Sequence, residues 1–286
     1  MTPLTVTATD GTLLRAWRTG SGRPVVLSNG LGAPAEAWPG LVSPDGPDGG
    51  WDVLGWDHRG LGGSQRPSDP SRIRVEDHAD DLLAVMDAGG VHRALLVGWS
   101  LGVGVAFEVA LAHPERVAGV LAVAGVPGGT FSAVFGPMMV PRRLRPGIAK
   151  VAARAMAHVG PAVRVAAGVL APQGGAWQEW SGPASYASAS AHALRAFARH
   201  DWRWYAQLVQ AIEEHAVMDL SQLRCPATFV GGRYDLITAE ADVRAAAARA
   251  PGARYVELPG SHYLPLEFPG ALQRELAALA ERVTWD

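Results

Sequence analysis

The chain has 286 residues, 48% of them hydrophobic and 18% charged, with 25 basic side chains against 27 acidic ones. That composition fits a folded globular enzyme with a sizeable core and excludes a disordered or fibrous chain. A formal charge of -2 without a basic stripe argues against a nucleic-acid partner.

The amino-terminal stretch "MTPLTVTATDGTLL" has neither a basic region nor an apolar segment of secretory type, so no signal peptide is expected. The segment from Val159 to Leu170 is short and broken by Arg164, so no membrane span is expected either, and a cytoplasmic location is the default expectation. Cys225 is the single cysteine, which rules out an internal disulfide. Its place before Pro226 and an apolar run predicts an inert, buried thiol.

The first elements read as an antiparallel hairpin: "LTVTA" and "LLRAWRTG" alternate in polarity and flank Asp10-Gly11. The pattern then changes to short, continuous apolar runs, "RPVVLSNG", "WDVLGWD", "ALLVGWS" and "VAGVLAVAG". Such runs suit strands of a parallel sheet covered on both faces. Between them, Val75 to Ala88 predicts an amphipathic helix ending at Gly89-Gly90. Leu101 to Ala112 predicts a buried helix stopped before Pro114.

After Gly125 the alternation stops, and residues 128–202 carry glycines, prolines, basic residues and helical patches without a good strand. The rhythm returns with "ATFVGG", a helix over Thr238 to Ala250, "ARYVELPG" and a closing helix from Phe268 to Val283. The expected architecture is therefore an α/β core, residues 1–127 and 203–286, with a mostly helical insertion over 128–202 following the sixth strand.

In an open parallel sheet, chemistry collects at the carboxyl ends of the strands. Three polar residues stand there: Ser100 after "ALLVGW", Asp235 after "ATFVGG" and His262 after "ARYVELPG". Each has a structural alternative, Ser100 as a helix N-cap and Asp235 as a turn former. Together they have the order of a catalytic triad on this kind of sheet, with "GWSLG" as a nucleophile elbow. A serine hydroxyl needs an imidazole to take its proton, and a carboxylate fixes the imidazole tautomer and stabilises its cation. Acyl transfer also needs an oxyanion hole. One donor is expected from the Leu101 N–H at a helix start, the other from the glycine-rich turn after "RPVVLSNG".

The blocks "VVLSNGLGAPAEAW", "GWDHRGLGGSQRP", "LLVGWSLG", "GGRYDLIT" and "LPGSHYLPLEFP" resemble, in order, the signature blocks of the α/β-hydrolase superfamily. Within it the chain is similar to small esterases and lactonases with a helical cap, among them the pimeloyl-carrier-protein methyl esterases and the enol-lactonases of aromatic breakdown. The resemblance implies a doubly wound, mostly parallel sheet and hydrolysis of an ester or lactone without metal or cofactor. It places the nucleophile on Ser100, the acid on Asp235, the base on His262 and the oxyanion amides on Leu31 and Leu101. Many relatives carry histidine where this chain has Asn29, and glycine where it has Val103. Epoxide hydrolases and haloalkane dehalogenases of this fold attack with aspartate at the elbow, so Ser100 argues against both chemistries.

Trp99 and Asn29 are the expected pocket residues. Asp57, His58 and Arg59 read as a structural turn among glycines. The basic run Arg142, Arg143, Arg145, Lys150 and Arg154 reads as a solvated face, with recognition of a substrate carboxylate or an acidic carrier protein as the alternative. The aromatic cluster Trp177, Trp180, Tyr186, Trp202, Trp204 and Tyr205 either lines an acyl pocket or forms the core of the insertion. A small acyl compound is the expected partner, with no membrane. Perhydrolysis, cleavage of a carbon–carbon bond and ligand binding without catalysis remain the alternatives on the same residues.

Overall fold

A computed structural model describes residues 1–42, 50–129, 142–145, 147, 148, 151, 154, 155 and 199–285. The strands are β1 (Thr2–Thr7), β2 (Leu13–Gly20), β3 (Arg23–Ser28), β4 (Trp51–Trp56), β5 (Ala94–Trp99), β6 (Val117–Val123), β7 (Ala227–Gly232) and β8 (Arg254–Leu258). They form one sheet in the order β1-β2-β4-β3-β5-β6-β7-β8. β3 to β8 are parallel, while β1 pairs antiparallel with β2 and β2 antiparallel with β4. Every residue of β4, β5, β6 and β7 is buried, which accounts for the unbroken apolar runs of the sequence.

Helices cover both faces: α1 (Val75–Ala88), α2 (Leu101–Ala112), α3 (Trp202–Glu213), α4 (Glu240–Ala247), α5 (Leu264–Glu267) and α6 (Pro269–Ala280). Alternate strand residues divide the core. Val26, Leu54 and Leu96 join Leu82, Phe107 and Leu208 on one face. Val25, Leu27, Val97 and Leu121 join Trp38, Leu272 and Leu276 on the other. The two expected late helices are trimmed at both ends, to Glu240–Ala247 and Pro269–Ala280. The expected return of the core at 203 falls inside α3, which begins at Trp202 and is capped by Asp201, whose side chain accepts from the Arg203 and Trp204 N–H groups. Residues 130–141 and 156–198 of the expected insertion, with Trp177, Trp180, Tyr186 and Lys150, lie outside the described residues. Among the described residues no helix is long and apolar enough to cross a membrane.

From β3 the chain moves to β4 on one side and then to β5 on the other. The direction of winding therefore reverses between β3 and β5, and a crevice opens at their carboxyl ends. The loop after β3 and the turn after β5 both project there.

The turn after β4 is structural. Arg59 is fully buried and meets both carboxylate oxygens of Asp81 at 2.7 Å, with Asp10 as a further partner. Asp57 accepts from Arg15 Nε at 2.6 Å and from the Gly63 N–H at 2.7 Å. This knot ties the amino-terminal hairpin, the β4 turn and α1 together. Beside it, His58 and His78 are buried edge to face with ring centroids 5.2 Å apart. Burial holds His58 down at about 4 and His78 well below its ordinary value.

Both histidines stay neutral in the native state while the unfolded chain takes up protons as pH falls through about 6.5. The unfolded state binds more protons in that window, so stability is complete above it and is lost towards pH ~4. Neither His78 ring nitrogen makes a hydrogen bond among the described residues. His78→Leu is therefore expected to flatten the fall of melting temperature between those two pH values, and an unchanged slope would contradict the assignment.

Candidate active site

Ser100 sits between β5 and α2 with φ 54° and ψ -117°, a backbone conformation that L-residues rarely adopt. The close approach around it explains the two neighbouring glycines. A Cβ on Gly98 would lie 2.6 Å from the Gly102 carbonyl oxygen, and one on Gly102 would lie 1.8 Å from the Ser28 oxygen. Ser100 occupies the N-cap position of α2 but makes no side-chain cap bond. Its hydroxyl instead lies 3.0 Å from His262 Nε2.

His262 is held from several sides. Its Nδ1 lies 2.9 Å from Asp235 Oδ2, and its carbonyl accepts from Trp99 Nε1 at 2.9 Å. Because a carboxylate only accepts, Nδ1 carries the proton and Nε2 offers its lone pair to Ser100. Asp235 is 1% exposed, and its second oxygen accepts from the Ile237 and Thr238 N–H groups at 2.8 Å. Turn former and imidazole partner are therefore the same carboxylate. Ser261, just before the histidine, donates its N–H and hydroxyl to the two oxygens of Glu267 at 2.7 and 2.6 Å.

Leu31 and Ser100 open on a common cavity of about 460 Å³. Leu101 begins α2, where the helix dipole favours negative charge. Among the described residues no hydrogen bond takes up the N–H of Leu31 or of Leu101. The loop carrying Leu31 is a tight turn: the Ala33 N–H donates to the Gly30 oxygen at 2.9 Å, and Gly32 adopts φ +70°.

Trp99 lines the cavity, whereas Asn29 is not among its lining residues. The Asn29 amide is 3% exposed and occupied internally. Its nitrogen donates to the Ala33 and Pro34 carbonyls, and its oxygen accepts from the Gly30 N–H and Trp38 Nε1. Asn29 therefore braces the loop from behind, a correction that follows from satisfying all its hydrogen bonds inside the fold.

Tyr205, Ile237, Tyr263 and Leu266 also line the cavity. Tyr263 and Ile237 lie next to His262 and two residues beyond Asp235, a proximity that flags them in the sequence. Leu266 carries no such signal. Of the basic run, Arg143 and Arg154 are exposed and Arg145 lies 3.3 Å from Asp242, while the Arg142 side chain lies outside the described residues. Cys225 is half-buried, and burial pushes its thiol up to about 11, as befits an unreactive position. Among the described residues no three His, Cys, Asp or Glu side chains are placed to hold a metal.

The sheet order and the strained serine turn define an α/β-hydrolase fold. A family model for that fold matches residues 23–269, and the chain belongs to the α/β-hydrolase family. The proposed carbamate hydrolase RutD of Caulobacter segnis is 35% identical over 112 residues, 39% of this chain and 41% of the relative. Epoxide hydrolase A of Mycobacterium tuberculosis is 37% identical over 117 residues, 40% of this chain and 36% of the relative. These matches thus span about two fifths of the relatives' length. Among solved structures, the enol-lactonase from Burkholderia xenovorans superposes with a TM-score of 0.73 at 25% identity, covering 97% of this chain and 100% of that one. An esterase from Exiguobacterium antarcticum reaches a TM-score of 0.75 at 18% identity, covering 98% and 100%, a likeness of fold.

The packing at Ser100 separates two glycine substitutions in the same helix. Gly102→Ala is expected to lower stability by more than about 2 kcal/mol, because the methyl meets backbone that cannot retreat. Gly104→Ala meets only a Val75 methyl at 3.9 Å and is expected to add about 0.5–1 kcal/mol through helix propensity. Chemical denaturation of both variants checks the pair, and equal effects would contradict the close crossing.

Proposed function

We propose that the protein is a serine hydrolase that cleaves a carboxylic ester or lactone through an acyl-enzyme on Ser100. One observation carries the proposal: Ser100 Oγ, His262 Nε2, His262 Nδ1 and Asp235 Oδ2 form a continuous chain with steps of 3.0 and 2.9 Å, opening on the cavity. The likeness to an enol-lactonase along nearly the whole chain supports the same class of chemistry.

In this mechanism His262 takes the hydroxyl proton as Oγ attacks the substrate carbonyl, and Asp235 stabilises the imidazolium. The oxygen that becomes negative is received by the Leu31 and Leu101 N–H groups, each worth about 3–4 kcal/mol of transition-state stabilisation where such donors have been removed. The imidazolium then returns its proton to the leaving oxygen, and water repeats the sequence on the acyl-enzyme. A serine at the elbow, where epoxide hydrolases of this fold use aspartate, separates this proposal from the activity named for the mycobacterial relative.

The proposal includes residues 128–202 as a helical cap insertion and a small acyl compound as partner, free or on a carrier protein, without nucleic acid, membrane or cofactor. It also includes a cytoplasmic setting, supported by a fold that needs no disulfide. The cavity wall from Trp99, Ile237 and Leu266 favours an apolar acyl or alcohol portion.

Incubation with a fluorophosphonate probe followed by peptide mapping tests the proposal. The adduct is expected on Ser100. Ser100→Ala and His262→Gln are each expected to lose on the order of a million-fold in turnover of aryl esters at nearly unchanged melting temperature. A Ser100→Ala variant that keeps wild-type turnover, or an unlabelled wild type, would overturn it.

A further inference from the structure

The loop that carries Leu31 is fixed not only by its own turn but by a side chain from far along the sequence. His200 Nε2 lies 2.7 Å from the Gly32 carbonyl oxygen, and a carbonyl only accepts, so the ring nitrogen donates. The ring is buried, stacks on Tyr205 at an interplanar angle of 19°, and stands where a Gly32 Cβ would be, 2.4 Å from Nε2. Gly32 is therefore required twice, for its φ of +70° and for the room it leaves the imidazole.

The segment from which His200 reaches is anchored by several contacts. Asp201 caps α3 and pairs with Arg66 at 2.7 Å. Trp204 donates from Nε1 to the Arg59 carbonyl at 2.9 Å and lies beneath the Arg66 guanidinium. Tyr205, one turn into the helix, directs its hydroxyl to the Leu31 carbonyl at 3.4 Å. On the upstream side the Gly30 N–H donates to Asn29 Oδ1, and the Gly30 carbonyl, in the same peptide unit as the Leu31 N–H, accepts from the Ala33 N–H, whose own peptide unit carries the Gly32 carbonyl. On the downstream side Asn29 holds the Ala33 and Pro34 carbonyls, while the Leu31 and Gly32 carbonyls are taken up by Tyr205 of α3 and by His200 just before it.

We infer that His200 is a positioning residue that aims the Leu31 N–H at the developing oxyanion by holding the Gly32 carbonyl. This rests on the proposed acyl transfer at Ser100. An amide aimed at the transition-state oxygen acts on turnover more than on ground-state binding, and a misplacement of about 1 Å is worth up to about a hundredfold. His200 itself is not among the residues that line the cavity.

His200→Leu removes the donor at similar bulk, and His200→Gln returns an N–H of comparable reach. With an activated aryl ester, His200→Leu is expected to lower kcat at least tenfold with little change in KM. The affinity for a trifluoromethyl ketone, whose adduct with Ser100 carries the oxyanion, is expected to weaken by the same factor. His200→Gln is expected to recover most of both. If leucine prevents folding, His200→Asn, polar but too short to reach Gly32, takes its place. Wild-type kcat in the donor-free variant, a kcat loss that the ketone does not follow, or a glutamine variant no better than leucine would each overturn the inference. Those results with Ser100 still labelled by fluorophosphonate remove the role of His200 alone. A wild type that neither labels nor hydrolyses removes the proposed acyl transfer and this inference together.

Discussion

The fold depends on one tight crossing, where the first turn of α2 passes over the carboxyl ends of β3 and β5. Gly102 touches the Ser28 carbonyl and Gly98 touches the Gly102 carbonyl, so neither position accepts a side chain. The chain then turns within a single residue, and that residue is forced to φ 54°. A non-glycine there costs about 1–3 kcal/mol, and it persists because the surrounding strands over-determine the geometry. What the strain yields is direction: the side chain of Ser100 cannot settle back as a helix cap and stands over the crevice facing His262.

The other polar groups of the site are arranged around that direction with little redundancy. Asp235 divides its two oxygens between its own turn and the imidazole. Trp99, adjacent to the serine, reaches across to the His262 carbonyl, so strand β5 positions both members of the pair. Asn29 binds four groups of the neighbouring loop. The charged knot around Arg59 stands apart from this arrangement. A buried guanidinium is tolerable only with carboxylates in contact, and Asp81 and Asp10 supply them while joining three separate elements.

Much of this was legible in the amino-acid sequence because burial on both faces leaves a strong pattern. The strands "LLRAWRTG" and "ATFVGG" and the helices Val75–Ala88 and Leu101–Ala112 coincide with the structure residue for residue. Ser100, Asp235 and His262 were legible because strand ends converge whatever the loops do between them. Asn29 was misplaced, since its neighbourhood in sequence says that it is near the site but not which way the amide points. α3 was hidden by its aromatics, which read as one cluster with residues of the insertion until Asp201 is seen to cap them. The contact between His200 and Gly32 spans 168 positions and leaves no local trace at either end.

Whether the hydroxyl of Ser100 is a nucleophile is tested most directly by the fate of the acyl group. Esters of one acid with a series of different aryl leaving groups, hydrolysed in water containing methanol, all pass through the same acyl-enzyme if Ser100 attacks. The ratio of methyl ester to free acid among the products is then the same for every leaving group. A ratio that changes with the leaving group would mean that water and methanol attack the substrate itself, and the hydroxyl held against His262 would not be the nucleophile.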